Sequence, residues 1–205
     1  HVIVVTKGGY IQGQNMQLAQ SQAFPEVVKY GEGIWHCIHP EFLETQISFS
    51  SQRLGLETID VFLLHNPEYS LSHQAHLKSL DSADHDEFYR RIRLAFGFLE
   101  AQVKRGRIRW YGISSNNFGL ALSQPERTSI ERCWSEAEKI GPDHHFRVIQ
   151  LPMNLYESGG ALIKNDSGET VLEFCRRREI GVLVNRPLNA FSNNRLTRLA
   201  DFARA

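Results

Sequence analysis

Two side chains that can move protons stand at the carboxyl ends of apolar runs in this sequence. Lys7 follows the run 2–6, and His65 closes the run 59–64. An imidazole donates or accepts a proton near neutral pH. A lysine stabilises a neighbouring anion as its ammonium form, or forms a Schiff base with a carbonyl as its neutral amine. A lysine and a histidine at the ends of two buried strands therefore predict a chemical site.

The elements that would position these residues alternate between strands and helices. Short apolar runs bounded by turn residues predict strands buried on both faces, and they are expected at 2–6, 59–64, 108–113, 147–151 and 180–185. Helices are expected from Pro40 to about Gly55, from Asp84 (the cap of a capping box with Glu87) to about Lys104, at 129–140, at 171–178 and from about Arg195. Residues 10–38 form a long connection with local structure, and residues 66–83 form a polar loop.

Five strand-then-helix units in series predict an α/β fold with a parallel sheet and right-handed crossovers. The candidates are a (β/α)8 TIM barrel and a doubly wound open sheet. No Gly-x-Gly-x-x-Gly follows any predicted strand, which weakens the second candidate. Both folds collect their chemistry at the carboxyl ends of the strands, where Lys7 and His65 are expected.

Composition excludes several functional classes. The 205 residues carry no net charge, which gives no attraction to nucleic acid or anionic lipid. No apolar run approaches the ~20 residues of a membrane span, and no signal peptide is visible. Three scattered cysteines and nine histidines lack the spacing of a disulfide framework or a metal site. We therefore predict a cytoplasmic protein without nucleic-acid partner, membrane partner or metal.

Three segments resemble the aldo-keto reductase family. Residues 53–65 resemble the stretch that leads to its catalytic histidine, residues 106–116 resemble its Gly-Lys-Ile-Arg…Ser-Asn segment, and residues 175–188 resemble the segment that ends in Ser-Pro-Leu. Lys7, His65 and Gln150 follow one another in the family's order. The resemblance covers roughly residues 1–190.

The resemblance implies a (β/α)8 barrel that reduces carbonyls with NADPH, or sometimes NADH. Lys7 and His65 match two of its four catalytic residues. The other two, an Asp and a Tyr, belong before residue 1, and the last strand and the loop that grips the 2′-phosphate belong after residue 205. Residues 1–205 are thus expected to form one partial barrel domain, with about strands 3 to 7 and little activity alone.

The resemblance also implies cofactor-binding positions. Ser115, Asn116 and Gln150 resemble the residues that bind the nicotinamide carboxamide, with the register of 114–117 open by one residue. Leu188 belongs to the matched Pro-Leu pair. Arg186 replaces a small residue near the pyrophosphate, where it either pairs with phosphate or faces solvent. Asn185 departs from the family pattern, since many members carry a tyrosine there that stacks on the nicotinamide.

Two functions remain open at this point. The first is an oxidoreductase that transfers a hydride between a nicotinamide cofactor, with NADPH favoured, and an aldehyde, ketone or sugar carbonyl or alcohol. The second is a non-catalytic, cofactor-binding regulatory subunit, because the same barrel serves potassium channels in that role. A Schiff-base function of Lys7, as in aldolases, finds no support in the surrounding segments. The expected partner is a small-molecule carbonyl substrate.

Overall fold

The computed structural model describes residues 2–192 and 195–200. Its strands in chain order are β1 (Val5–Gly8), β2 (Tyr10–Ile11), β3 (Val28–Gly31), β4 (Ile34–His36), β5 (Ile59–His65), β6 (Ile108–Ser114), β7 (Phe146–Pro152), β8 (Gly181–Asn185), β9 (Asn189–Ser192) and β10 (Arg195–Arg198). Its helices are α1 (Gln14–Ser21), α2 (Pro40–Leu54), α3 (Tyr69–Leu77), α4 (Ser82–Lys104), α5 (Ile130–Glu138), α6 (Gly159–Leu162) and α7 (Val171–Arg177).

The main sheet has five parallel strands in the order β1-β5-β6-β7-β8. Helices α2, α4, α5 and α7 lie between these strands in the chain and contribute to the same buried apolar cluster as the outward side chains of the sheet. Those outward side chains are Phe62, Leu64, Tyr111, Ile113, Ile149 and Leu151. The predicted α/β class with a parallel sheet is therefore confirmed.

The other face of the sheet carries the polar residues. Parallel pairing sets His65 beside Ser114, Ser114 beside Gln150, and Gln150 beside Leu183. Lys7 pairs with Leu63, which is two residues before His65 on β5. Because side chains alternate between the two faces of a strand, Lys7, His65, Ser114 and Gln150 project from the same face of the sheet.

The ends of α2 follow directly from its sequence. Pro40 occupies the first helical turn, where its missing N–H removes no helical hydrogen bond. His39 precedes it as the N-cap, and its Nδ1 accepts from the Glu41 amide at 3.4 Å. Gly55 ends the helix with a φ of 65°, in the left-handed region that favours glycine. The predicted bounds of this helix are confirmed.

The first strand begins later than predicted. It was expected at 2–6 but spans Val5–Gly8, so Lys7 lies inside the strand rather than after it. The Asp60 carboxylate accepts the amide N–H of Val4 at 2.9 Å, and strand pairing starts only with Val5 opposite Val61. This side-chain contact takes up a backbone donor just before the regular ladder begins.

The cap of the long helix was also predicted wrongly. Asp84 was expected as the cap, but the helix starts at Ser82 with Asp81 as its N-cap. The Asp81 carboxylate accepts from the Asp84 amide at 3.0 Å, and the Asp84 carboxylate accepts from the Asp81 amide at 3.1 Å. The capping box is thus formed by Asp81 and Asp84, three residues upstream of the predicted pair Asp84 and Glu87.

Outside the main sheet, one sequence-based expectation is confirmed and two are wrong. Residues 10–38 contain α1 and an antiparallel sheet of order β2-β4-β3, in agreement with the predicted local structure. Residues 66–83, predicted as a polar loop, contain α3. The helix expected from Arg195 is wrong at its start, since β10 pairs there with β9. Its continuation beyond residue 200 lies outside the described residues.

The three cysteines, Cys37, Cys133 and Cys175, are free and buried. Burial raises the pKa of all three thiols, which disfavours their reactive thiolate form. Within the described part of the chain, no helix is both long and apolar enough to cross a membrane.

Candidate active site

The Lys7 ammonium on β1 reaches across β5 to side chains on β6 and β7 at the carboxyl end of the main sheet. Its Nζ donates to Ser114 Oγ at 3.2 Å and to Gln150 Oε1. The Ser114 hydroxyl donates to the same Gln150 oxygen at 3.1 Å. Burial lowers the pKa of Lys7. Because both of these partners are neutral, neither cancels the positive charge, which can stabilise a nearby anion.

His65 lies beside this cluster as a neutral imidazole. Burial first, and then the charges of Lys7 and His36, lower its pKa to about 4. At neutral pH its ring therefore carries one N–H donor and one acceptor nitrogen. The Tyr10 ring packs edge-on against it, with ring centroids 4.6 Å apart and planes at 81°. Such a ring can hydrogen-bond an uncharged oxygen without adding a second positive charge beside Lys7.

Ser115 faces away from Lys7. Its hydroxyl donates to Thr128 Oγ1 at 3.0 Å and accepts from the Asn117 amide at 3.0 Å, and its side chain is buried. Ser114, which was not among the predicted site residues, is the serine that contacts Lys7. The alignment of residues 114–117 with the family segment is open by one residue. The two serines that it allows, Ser114 and Ser115, thus place their hydroxyls on opposite faces of the sheet.

A buried carboxyl group holds the backbone at Asn116. Glu68 Oε1 accepts from the Asn116 amide at 2.8 Å. Burial raises the pKa of Glu68 to about 7, although this hydrogen bond opposes the shift. The Asn116 side chain points toward a different partner, since its Oδ1 accepts from Arg186 Nη1 at 3.3 Å.

The carboxyl end of β8 and the residues that follow it lie on the other side of β7 from Lys7. Arg186 has a φ of 55° and forms an ion pair with Glu157, so an anion bound there would compete with that carboxylate. Asn185 is opposite Pro152 in the parallel register, and its Oδ1 is buried without a hydrogen-bond partner. Leu188 is exposed, and its carbonyl oxygen accepts from the Leu199 amide at 2.9 Å.

The structure brings some of the predicted site residues together and separates others. Lys7, His65 and Gln150 share one face of the sheet, and Asn116 is joined to Arg186 by a hydrogen bond. The Ser115 hydroxyl turns away from Lys7, and Leu188 faces solvent.

Ser114 and His36 are site residues that were not predicted from the sequence. Ser114 could have been found from alternation alone, because the apolar Tyr111 and Ile113 must face the helices and leave Gly112 and Ser114 on the other face. His36 had no such signal, since its place depends on the pairing of β4 with β2. Among the residues that the structure describes, no group of three or more His, Cys, Asp and Glu could hold a metal ion.

Acid should destabilise the protein through His36. The buried ring has a pKa lowered to about 4, mainly by desolvation, whereas an unfolded imidazole titrates near 6.5. Between these pH values the unfolded state binds the extra proton, so the stabilisation is complete above pH 6.5 and is lost as the pH falls toward 4. We expect a loss of about 3 kcal/mol from this residue. Urea unfolding across this range should show a shallower pH dependence for His36→Phe; an unchanged slope would contradict the assignment.

Comparisons with known proteins agree with this architecture. The family model described as Aldo/keto reductase family matches residues 1–199. Among solved structures, the chain is similar to a glycerol dehydrogenase from Gluconobacter oxydans, with 19% identity and a TM-score of 0.50, over 89% of this chain and 39% of that one. It is also similar to the holo form of an aldo-keto reductase from Bacillus halodurans, with 17% identity and a TM-score of 0.48, over 89% of this chain and 42% of that one. A search of curated proteins found no match.

The chain spans about two fifths of the length of these two structures. The family match and the five-stranded parallel sheet with its helices confirm the predicted partial (β/α)8 barrel.

Proposed function

Since the chain belongs to the aldo/keto reductase family, we propose that the whole protein is an NAD(P)-dependent oxidoreductase. It transfers a hydride between a nicotinamide cofactor, with NADPH favoured, and an aldehyde, ketone or sugar carbonyl or alcohol. One observation carries the proposal: the Lys7 ammonium contacts Ser114 and Gln150 on the same face of the sheet as His65.

The residues present fit a nicotinamide. Its carboxamide offers two N–H donors and one acceptor oxygen, which amide side chains can match. The Asn185 Oδ1 is a buried acceptor without a partner at the carboxyl end of β8. A buried unpaired acceptor costs about 1–3 kcal/mol, and a bound N–H group would recover part of that cost. When bound, the cofactor supplies or accepts the hydride.

The side chains of this chain handle the proton. Lys7 favours the ionised form of a neighbouring acid because its ammonium stabilises the conjugate anion. The family resemblance implies that this acid is a tyrosine. His65, held neutral by burial, donates an N–H to the substrate oxygen and orients it. These two residues form half of the proton-transfer set.

A regulatory, cofactor-binding subunit is the second candidate. The Tyr10 ring packs edge-on against the His65 ring, with ring centroids 4.6 Å apart, and this contact narrows the approach of a substrate to His65. A subunit that binds NADPH without turnover would tolerate this contact.

Turnover separates the two candidates. The whole protein is titrated with NADPH and with NADH by fluorescence, and NADPH consumption is then followed over a panel of aldehydes, ketones and sugars. Cofactor binding with carbonyl-dependent consumption supports the enzyme. Binding without consumption over the panel supports the regulatory subunit, and failure to bind either cofactor would refute both.

Removal of the Asn185 acceptor should weaken cofactor binding. Leucine has nearly the same shape as asparagine but offers no oxygen, so Asn185→Leu should raise the Kd for NADPH about three- to tenfold. The neighbouring Val184 faces the other side of β8 and is exposed, so Val184→Ala serves as the control. Equal Kd values for the wild type and Asn185→Leu would exclude Asn185 from the cofactor site.

A further inference from the structure

The small antiparallel sheet brings a buried histidine to the backbone of His65. His36 ends β4 and pairs with Tyr10 on β2 and Val28 on β3. Its side chain is only 2% exposed, and its Nε2 lies 2.6 Å from the carbonyl oxygen of His65. A carbonyl oxygen can only accept, so Nε2 carries the hydrogen and donates it.

Two rings hold the His36 imidazole in this orientation. It stacks on Tyr69, with centroids 5.4 Å apart and planes at 14°, and it packs edge-on against Tyr10 at 5.7 Å and 88°. Tyr10 also packs edge-on against the His65 ring, and its hydroxyl accepts from Asn66 Nδ2 at 2.7 Å. Between them, His36 and Tyr10 of the small sheet thus contact His65, the last residue of β5, and Asn66, which follows it.

The backbone turns sharply directly after His65. The chain leaves β5 through Asn66, whose φ of 50° lies in the left-handed region. The Asn66 amide donates to Ser114 O at 2.7 Å, which holds one side of the turn. The hydrogen bond from His36 holds the His65 carbonyl, so the peptide that carries the catalytic ring is restrained on both sides.

Gly9 leaves the space for this hydrogen bond. A Cβ atom at Gly9 would lie 2.7 Å from His36 Nε2 and 2.7 Å from the His65 carbonyl oxygen. His36 Nε2 and the His65 carbonyl oxygen therefore lie directly against the Gly9 backbone, and any larger residue at position 9 would push them apart.

We propose that His36 is a positioning residue that orients the ring of His65 by donating a hydrogen bond to the His65 backbone carbonyl. The role assigned to His65 in substrate binding rests on the proposed function, whereas the restraint itself does not. An uncharged donor suits this place because it adds no positive charge near Lys7. Burial keeps His36 in that form, since it lowers the pKa of the ring to about 4.

Three variants of the whole protein separate the hydrogen bond from the packing. His36→Phe keeps a planar ring and removes the donor, whereas His36→Gln loses the ring and keeps an N–H group that can reach the carbonyl. His76→Phe is the matched control, because His76 contacts Tyr30, with centroids 5.2 Å apart, at the outer end of the same group of rings.

Two measurements are made on each variant. The first is kcat and KM with NADPH and the best carbonyl of the panel. The second is the side-chain NMR signal of His65 without substrate. We expect His36→Phe to lower kcat about tenfold or more with a smaller change in KM, and to shift the His65 signal. His36→Gln should recover most of both changes, and His76→Phe should resemble the wild type.

Retention of wild-type kcat and an unshifted His65 signal in His36→Phe would overturn the proposal. So would a His36→Gln protein as impaired as His36→Phe. If His36→Phe does not fold, the His65 signal of His36→Gln decides, since a wild-type signal supports the restraint and a shifted one refutes it. If the wild-type protein reduces no carbonyl, the proposed function fails, while the NMR comparison still tests the link between His36 and His65.

Discussion

Lys7→Met should lower the kcat of the whole protein about 10²- to 10⁴-fold, the range that a positioned group in proton transfer contributes. Methionine has nearly the length of lysine and keeps its apolar stem, but it removes the charge that contacts Ser114 and Gln150. The affinity for NADPH should change far less than kcat, because the loss falls on proton transfer.

Lys29→Met is the matched control for this variant. Lys29 lies on β3, and its ammonium contacts the Trp35 ring at 4.5 Å. Removal of a charge there should leave kcat near the wild-type value. If Lys7→Met and Lys29→Met were equally active over the carbonyl panel, Lys7 would have no part in the chemistry.

Gly112→Ala should have the largest effect on stability. Gly112 pairs with Leu63 on one side and Val148 on the other, in the centre of the main sheet. A Cβ atom at this position would lie 1.6 Å from the Val148 carbonyl oxygen, and a backbone atom fixed in a strand ladder has little room to move. We expect a loss of about 3 kcal/mol or more, the upper range for overpacking a core.

The melting temperature of the whole protein measures this loss, and it should fall about 3 °C or more below that of the wild type. Gly141→Ala is the control, because an added Cβ there meets nothing within 4 Å. A melting temperature of Gly112→Ala equal to that of the control would mean that β6 and β7 are further apart than the structure has them.

Elements with a strong local sequence pattern could be predicted from the sequence. The main strands β5 to β8 are apolar runs, and α2 is delimited by Pro40 and Gly55. In such segments the residue types that the local pattern requires are also the types that packing against the rest of the protein requires. The closeness of Lys7 to Gln150 followed from the family resemblance, because no local pattern relates residues that are 143 positions apart.

Elements defined by their partners could not be predicted. In α3 only Leu71 is buried, so no apolar stripe marks the helix, and Tyr69 instead packs against Tyr10 and His36. The four residues of β10 are all exposed, and only pairing with β9 defines them as a strand. His36 belongs to the same class, because its function depends on a carbonyl group 29 residues away.

The orientation of the Gln150 amide has a consequence for ligand selection. Lys7 can only donate, and the Ser114 hydroxyl donates to the same atom, so that atom must be the amide oxygen. Gln150 can therefore offer a ligand only N–H groups, whereas Asn185 keeps an unpaired oxygen. A ligand group that contacts both residues must accept a hydrogen bond from Gln150 and donate one to Asn185. A primary amide meets this requirement and a carboxylate does not, so under the proposed function we expect the pair to distinguish a carboxamide from the corresponding acid by hydrogen-bond polarity.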